Sequence, residues 1–173
     1  DAAKKRRIKA RLSLVVCDNP GAYAVARARR AGIATAVFDP KDFPSKKELE
    51  SAVIRELNRK KIGLIALAGY MRILSDGFVR KYKNRIMNIH PALLPAFKGG
   101  QAIKDALKCG VKVTGATVHF VTEEIDDHRA AARRLTIDRP LQGNVGHRAV
   151  VSPQAQDAAV NQPQYAVFRA TDP

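Results

Sequence analysis

Residues 62–68, Ile-Gly-Leu-Ile-Ala-Leu-Ala, limit the folds open to this chain more than any other stretch. The run is almost continuously apolar, as a central strand buried on both faces would be. Short β-prone runs alternate with helical patterns around it. Residues 12–16 are strand-like and close on the turn residues Asp18, Asn19, Pro20 and Gly21. Residues 22–31 are rich in Ala and Arg, with Gly32 as a C-terminal stop. Residues 35–38 read as the next strand. Ser45 with Glu48 three places on is a capping box, opening a helix to about Arg59 that carries Leu49, Val53 and Leu57 along one side. Ser75 opens a shorter helix to about Lys83, and 85–89 is a strand. A Pro- and Gly-rich loop then leads to a helix over 101–109 and a long strand over 113–121. This alternation predicts an α/β fold of βαβ units with a mostly parallel twisted sheet. Ligands of such sheets sit beyond the carboxyl ends of the strands, the edge where Met71, Asn88 and His90 fall.

A length of 173 residues fits one domain with a sizeable core, and 46% hydrophobic residues is ordinary for a globular protein. No apolar run approaches the roughly 18 to 20 residues that span a bilayer, and no signal-type segment follows Asp1, so no membrane association is expected. The chain opens without Met, which predicts that the natural start lies upstream. Cys17 and Cys109 lie far apart with no CxxC pair, which argues for a reducing, cytoplasmic setting and against zinc or a disulfide framework. The net charge of +15 suits attraction to nucleic acid, nucleotide phosphates or polyglutamylated cofactors, or simply a solvated Lys/Arg surface. The densest basic cluster, residues 4–11, has no interleaved aromatic for base stacking and reads as a helix end, so nucleic acid is not the expected partner.

The chain changes character near Asp126. The last Glu is Glu124 and the last Lys is Lys112, while Gln, seen once before at Gln101, recurs at 142, 154, 156, 162 and 164. Residues 130–135 could form a short helix, but Gly143, Pro153 and Pro163 interrupt the remainder of the chain. A linker, a disordered tail, a reading-frame change or a chimeric junction would each leave this trace.

The chemistry concentrates in residues 87–95, Met-Asn-Ile-His-Pro-Ala-Leu-Leu-Pro. Asn88 and His90 stand two apart on a strand and so share a face. A hydrogen-bond donor beside a titratable base is the minimum for acyl-type transfer. Two further segments accompany it: Ala68-Gly69-Tyr70-Met71-Arg72-Ile73-Leu74, and Gly115-Ala116-Thr117-Val118-His119-Phe120-Val121 running on to Asp126. Together the three resemble the phosphoribosylglycinamide formyltransferase family, over about residues 11–126.

That resemblance implies a Rossmann-like three-layer formyltransferase fold, incomplete here at both ends. It implies transfer of a formyl group from 10-formyltetrahydrofolate, as cosubstrate, to the amine of glycinamide ribonucleotide in purine biosynthesis, with no metal. Carried over by motif, Asn88, His90 and Asp126 are catalytic. Asn88 and His90 would stabilise the oxyanion of the tetrahedral adduct. Asp126 would favour the cationic imidazole and shuttle protons, directly or through a water. Met71, Arg72, Ile73 and Leu74, with Asn88, would line the folate pocket. Pro91 would shape the nucleotide side, Lys46 would stand near the folate tail or be a plain solvated lysine, and His119 would lie behind the reacting groups.

Residues 1–126 thus read as a formyltransferase domain and 127–173 as an unmatched, frame-shifted or disordered tail. The family's opening strand and phosphate-cradling loop have no counterpart here, and neither does its Gly-Pro-aliphatic motif after the acidic residue. Turnover is therefore expected to be impaired. Three alternatives keep part of the pattern. A formyltetrahydrofolate deformylase would commonly have His in place of Pro91. A methionyl-tRNA formyltransferase would carry an RNA-binding domain. A non-catalytic remnant would bind folate or RNA only. Oligomeric state is not legible.

Overall fold

The computed structural model describes residues 10–126, 131–136 and 164–170. Of the basic run 4–11, residues 4–9 lie outside these, as do His128 and His147; Ala10 and Arg11 open a strand, which corrects the helix end expected there.

Local sequence explains most of the elements. Strand β1 (Ala10–Cys17) ends at the turn where Gly21 N–H donates to Asn19 Oδ1 at 2.8 Å. Helix α1 (Tyr23–Arg30) stops at Gly32, whose φ of +69° suits a residue without a Cβ. Strand β2 is Thr35–Val37. Ser45 Oγ accepts the Glu48 N–H at 3.2 Å to open helix α2 (Lys46–Arg59). That helix ends with Lys61 N–H donating to Asn58 O and Ile62 N–H to Leu57 O, a Schellman pair in which Lys61 takes a φ of +51°. Strand β3 (Leu64–Ala68) is the apolar run, and Ser75 caps helix α3 (Asp76–Lys81) by accepting Phe78 N–H. Strand β4 (Ile86–His90), helix α4 (Ala102–Cys109) and strand β5 (Gly115–Phe120) come next, the last shorter than its pattern suggested.

Two more strands come from the region after Asp126: β6 (Ala131–Thr136) and β7 (Gln164–Ala170). The helix expected over 130–135 is therefore corrected to a strand. The Ala/Arg segment favours helix by composition, but it is too short to hold one alone, and antiparallel pairing with β5 overrides that preference.

The sheet order is β2-β1-β7-β3-β4-β5-β6. Strands β1, β2, β3, β4 and β6 run one way and β5 and β7 the other, so most strands share a direction as expected. Neighbours are parallel only at β1/β2 and β3/β4, however, because β7 is inserted antiparallel between β1 and β3 and β5 lies antiparallel to β4. Gln164 pairs with both Cys17 and Ala68, at the carboxyl edge of β1 and β3.

Burial places layers on both faces. Leu14 and Val16 of β1 pack with Ile65 and Leu67 of β3, Val53 and Leu57 of α2 and Phe78 and Val79 of α3 in the main core. Cys17, of opposite parity on β1, packs instead with Ala22 and Val25 of α1. Strands β1, β3 and β4 are thereby held with their carboxyl ends side by side. Among the described residues no helix is long and apolar enough to cross a membrane.

Candidate active site

Strand β4 delivers Asn88 and His90 to that edge, and β5 runs beside it so that Asn88 is opposite His119 and His90 opposite Thr117. Antiparallel partners on one face lie close enough for their side chains to meet. Asn88 Nδ2 and His119 Nε2 are 3.2 Å apart. Just past β5 the chain turns through Asp126, whose φ of +48° is uncommon for a residue with a side chain and aims its carboxylate back at both histidines. Asp126 Oδ2 is 3.4 Å from His90 Nδ1, and Oδ1 is 3.5 Å from His119 Nε2.

The hydrogen bonds fix roles. His90 Nε2 faces Phe97 O at 2.7 Å, and a carbonyl oxygen only accepts, so Nε2 carries a proton and Nδ1 is presented to Asp126. His119 Nδ1 donates to Phe120 O at 3.1 Å, so in the neutral ring Nε2 receives a hydrogen from the Asn88 amide, and in the protonated ring it donates to Asp126 Oδ1 instead. Gly99 N–H donates to Asp126 Oδ2 at 2.7 Å. Burial pushes the Asp126 carboxyl up. The contact with His119, the Gly99 N–H and the charge of the two histidines outweigh burial and hold the group below the usual carboxylate range.

A cavity of about 350 Å³ opens in front of these groups. Asn88, His90, His119 and Asp126 line it together with Met71, Arg72, Ile73, Leu74 and Pro91. Its walls are largely apolar: Met71, Ile73, Ile89 and Ile125, all exposed, line this space. An apolar cavity carrying a few buried polar groups suits an organic ligand with one reactive group.

Comparison with known proteins matches the formyl transferase family over residues 1–134. The chain belongs to the formyl transferase family. It is 50% identical over 126 residues to the trifunctional purine biosynthetic protein adenosine-3 of Gallus gallus, covering 73% of this chain and 13% of that protein. It is 44% identical to the phosphoribosylglycinamide formyltransferase of Bacillus subtilis (strain 168), over 71% of this chain and 63% of that protein. The chain thus spans less than two thirds of the length of these two relatives. Among solved structures, glycinamide ribonucleotide transformylase 1 from Geobacillus kaustophilus superposes with a TM-score of 0.75 at 46% identity, covering 79% of this chain and 72% of that one.

Within this formyl transferase domain the structure brings together every residue singled out from the sequence except Lys46. Lys46 is absent from the cavity lining, and its Nζ lies 3.8 Å from Glu50 Oε1 across one helical turn. His119, placed behind the reacting groups by sequence, touches both Asn88 and Asp126. Sequence reasoning missed Thr117. Fully buried, it donates to Ala92 O at 2.8 Å and accepts Leu94 N–H at 3.0 Å, pinning the loop after His90. A second polar residue two places before His119, on the same inward face of β5, was the available signal. Asp18 and Glu50, both buried, were also missed, since an acidic residue at a turn or in a charged helix looks solvated.

Proposed function

We propose that this chain transfers a formyl group from 10-formyltetrahydrofolate to the amine of glycinamide ribonucleotide. The observation that carries this reading is the convergence of Asn88, His90 and Asp126 on a largely apolar cavity. Such a cavity suits a folate, whose bound form supplies the formyl carbon. One Asn88 amide hydrogen is taken by His119, and the second is available to the formyl oxygen as negative charge builds there. With a proton on Nδ1 as well, His90 adds a cation to the same charge. As the amine nitrogen bonds to the formyl carbon and the bond from that carbon to the folate nitrogen breaks, one proton must pass from amine to leaving nitrogen. Asp126, ionised and 3.4 Å from His90, can carry it directly or through a water. Pro91 would border the nucleotide, and a cytoplasmic setting goes with this reading.

Purified chain incubated with 10-formyl-5,8-dideazafolate and glycinamide ribonucleotide should yield formylated product, slowly, in keeping with the impaired turnover expected from the sequence. His90→Asn and Asp126→Asn should each lower the rate at least about 100-fold, as expected when a positioned acid–base or charge-stabilising group is lost. Equal product from all three proteins would sink the assignment. Loss of formyl from the donor without any need for the amine would point to the deformylase instead.

A further inference from the structure

The wall of the cavity between Gly69 and Ser75 is an unusual piece of structure. It belongs to no strand or helix, turns through Gly69 at a φ of +67°, and shows Met71 and Ile73 to the cavity rather than to the core. Such a segment has no ladder to hold it and would ordinarily be mobile.

Two buried carboxylates, from elements distant in sequence, hold it. Asp18, at the carboxyl end of β1 and only 9% exposed, accepts Arg72 Nε at 2.9 Å. Glu50, on α2 and only 6% exposed, accepts Ser75 N–H at 3.0 Å and also the Ser75 hydroxyl. The same hydroxyl oxygen caps α3, so Glu50 fixes both the end of the wall and the start of the helix behind it. Burying a carboxylate is unfavourable unless it is well bonded, and an apolar residue would fill either position at less cost. Two acids at the two ends of one irregular wall indicate that geometry is what they supply.

We propose that Asp18 and Glu50 are positioning residues for the donor pocket: acting through Arg72 and Ser75, they set the wall in the shape that receives the flat head of the formyl donor. This rests on the folate reading of the cavity. Neither acid touches the reacting atoms, so the expected signature is weakened donor binding rather than altered chemistry.

The test uses the full chain with Asp18→Asn and Glu50→Gln, which keep side-chain size, and Asp18→Glu, which keeps the charge. Hydrogen exchange without ligand and the Kd for a 5,8-dideazafolate are measured on each. Exchange should quicken locally across residues 69–75, and in Glu50→Gln also at the first turn of α3, and Kd should rise about tenfold, the effect of losing one charge-assisted hydrogen bond. Asp18→Glu should recover part of both. Unchanged exchange at 69–75, or unchanged Kd in variants of a chain that binds, would overturn the proposal. Exchange rising evenly over the whole chain would also overturn it, by showing a general structural role. A wild-type chain that does not bind the dideazafolate would defeat the folate reading, and the local exchange pattern would still decide for or against the clamp.

Discussion

Gly99 and Asp126, 27 residues apart, are joined by a 2.7 Å hydrogen bond from backbone N–H to Oδ2. The bond links the loop after His90 to the residue that faces His90 from the other side. A carboxylate so held is both oriented and kept ionised, and its removal should be felt in stability as well as in turnover.

Asp126 should make the fold acid-sensitive. Its carboxyl titrates below the ordinary value of 3.8: burial raises it, but His119, Gly99 and the histidine charges lower it more. A group with a depressed folded pKa contributes stability that is complete above the unfolded value and disappears as pH falls through the folded one. Urea unfolding from about pH 7 down to about pH 2 should show that loss beginning near the ordinary carboxylate range. Asp126→Asn should be less stable at neutral pH and show a shallower acid dependence. An identical pH profile in the two proteins would contradict the assignment.

His119 should matter to catalysis through its contacts. His119→Phe keeps a buried ring but deletes Nε2, which faces both Asn88 and Asp126. Formyl transfer should fall about 10- to 100-fold, the equivalent of one or two hydrogen bonds, with the melting temperature little changed. Wild-type kcat in this variant would reduce His119 to core packing.

Thr117→Val should be more damaging than its size suggests. Val has nearly the same shape but leaves Ala92 O and Leu94 N–H without their partner in a fully buried setting. About 2 to 4 kcal/mol of stability should be lost, the range for stranding two buried polar groups. Chemical denaturation would read it directly, and a neutral result would mean that the loop finds other partners.

Lys61→Gly should stabilise. Lys61 holds a φ of +51° at the position after α2 where glycine is favoured. Relief of left-handed strain is worth about 1 kcal/mol after the extra freedom of glycine in the unfolded chain is subtracted. A small upward shift in the urea midpoint is expected, and a downward shift would show that the lysine side chain contributes more than its backbone costs.

The parts of this structure that were legible in the sequence are those decided within a few residues. Ser45 and Ser75 announce their helices because a cap bonds three residues ahead. Asn88 and His90 share a site because strand geometry puts i and i+2 on one face. The three motifs then located the cavity. What could not be read depends on partners far along the chain. Asp18 meets Arg72 at a separation of 54 residues, and nothing local marks either as paired. Residues 131–136 are a strand because β5 offers them an edge. No periodicity in 164–170 says that these residues belong between β1 and β3.

That last placement bears on how the protein comes to be folded. Strand β7 bridges strands that precede it by most of the chain length, so β1 and β3 cannot be joined through it during synthesis until residues 164–170 have been made. Until then the nascent polypeptide carries two unsatisfied strand borders at what will become its centre, each able to recruit a neighbouring chain. Closing so long a loop is also slow. Recovery of active protein from cells should therefore depend on translation speed and on chaperone supply more than the finished sheet would suggest.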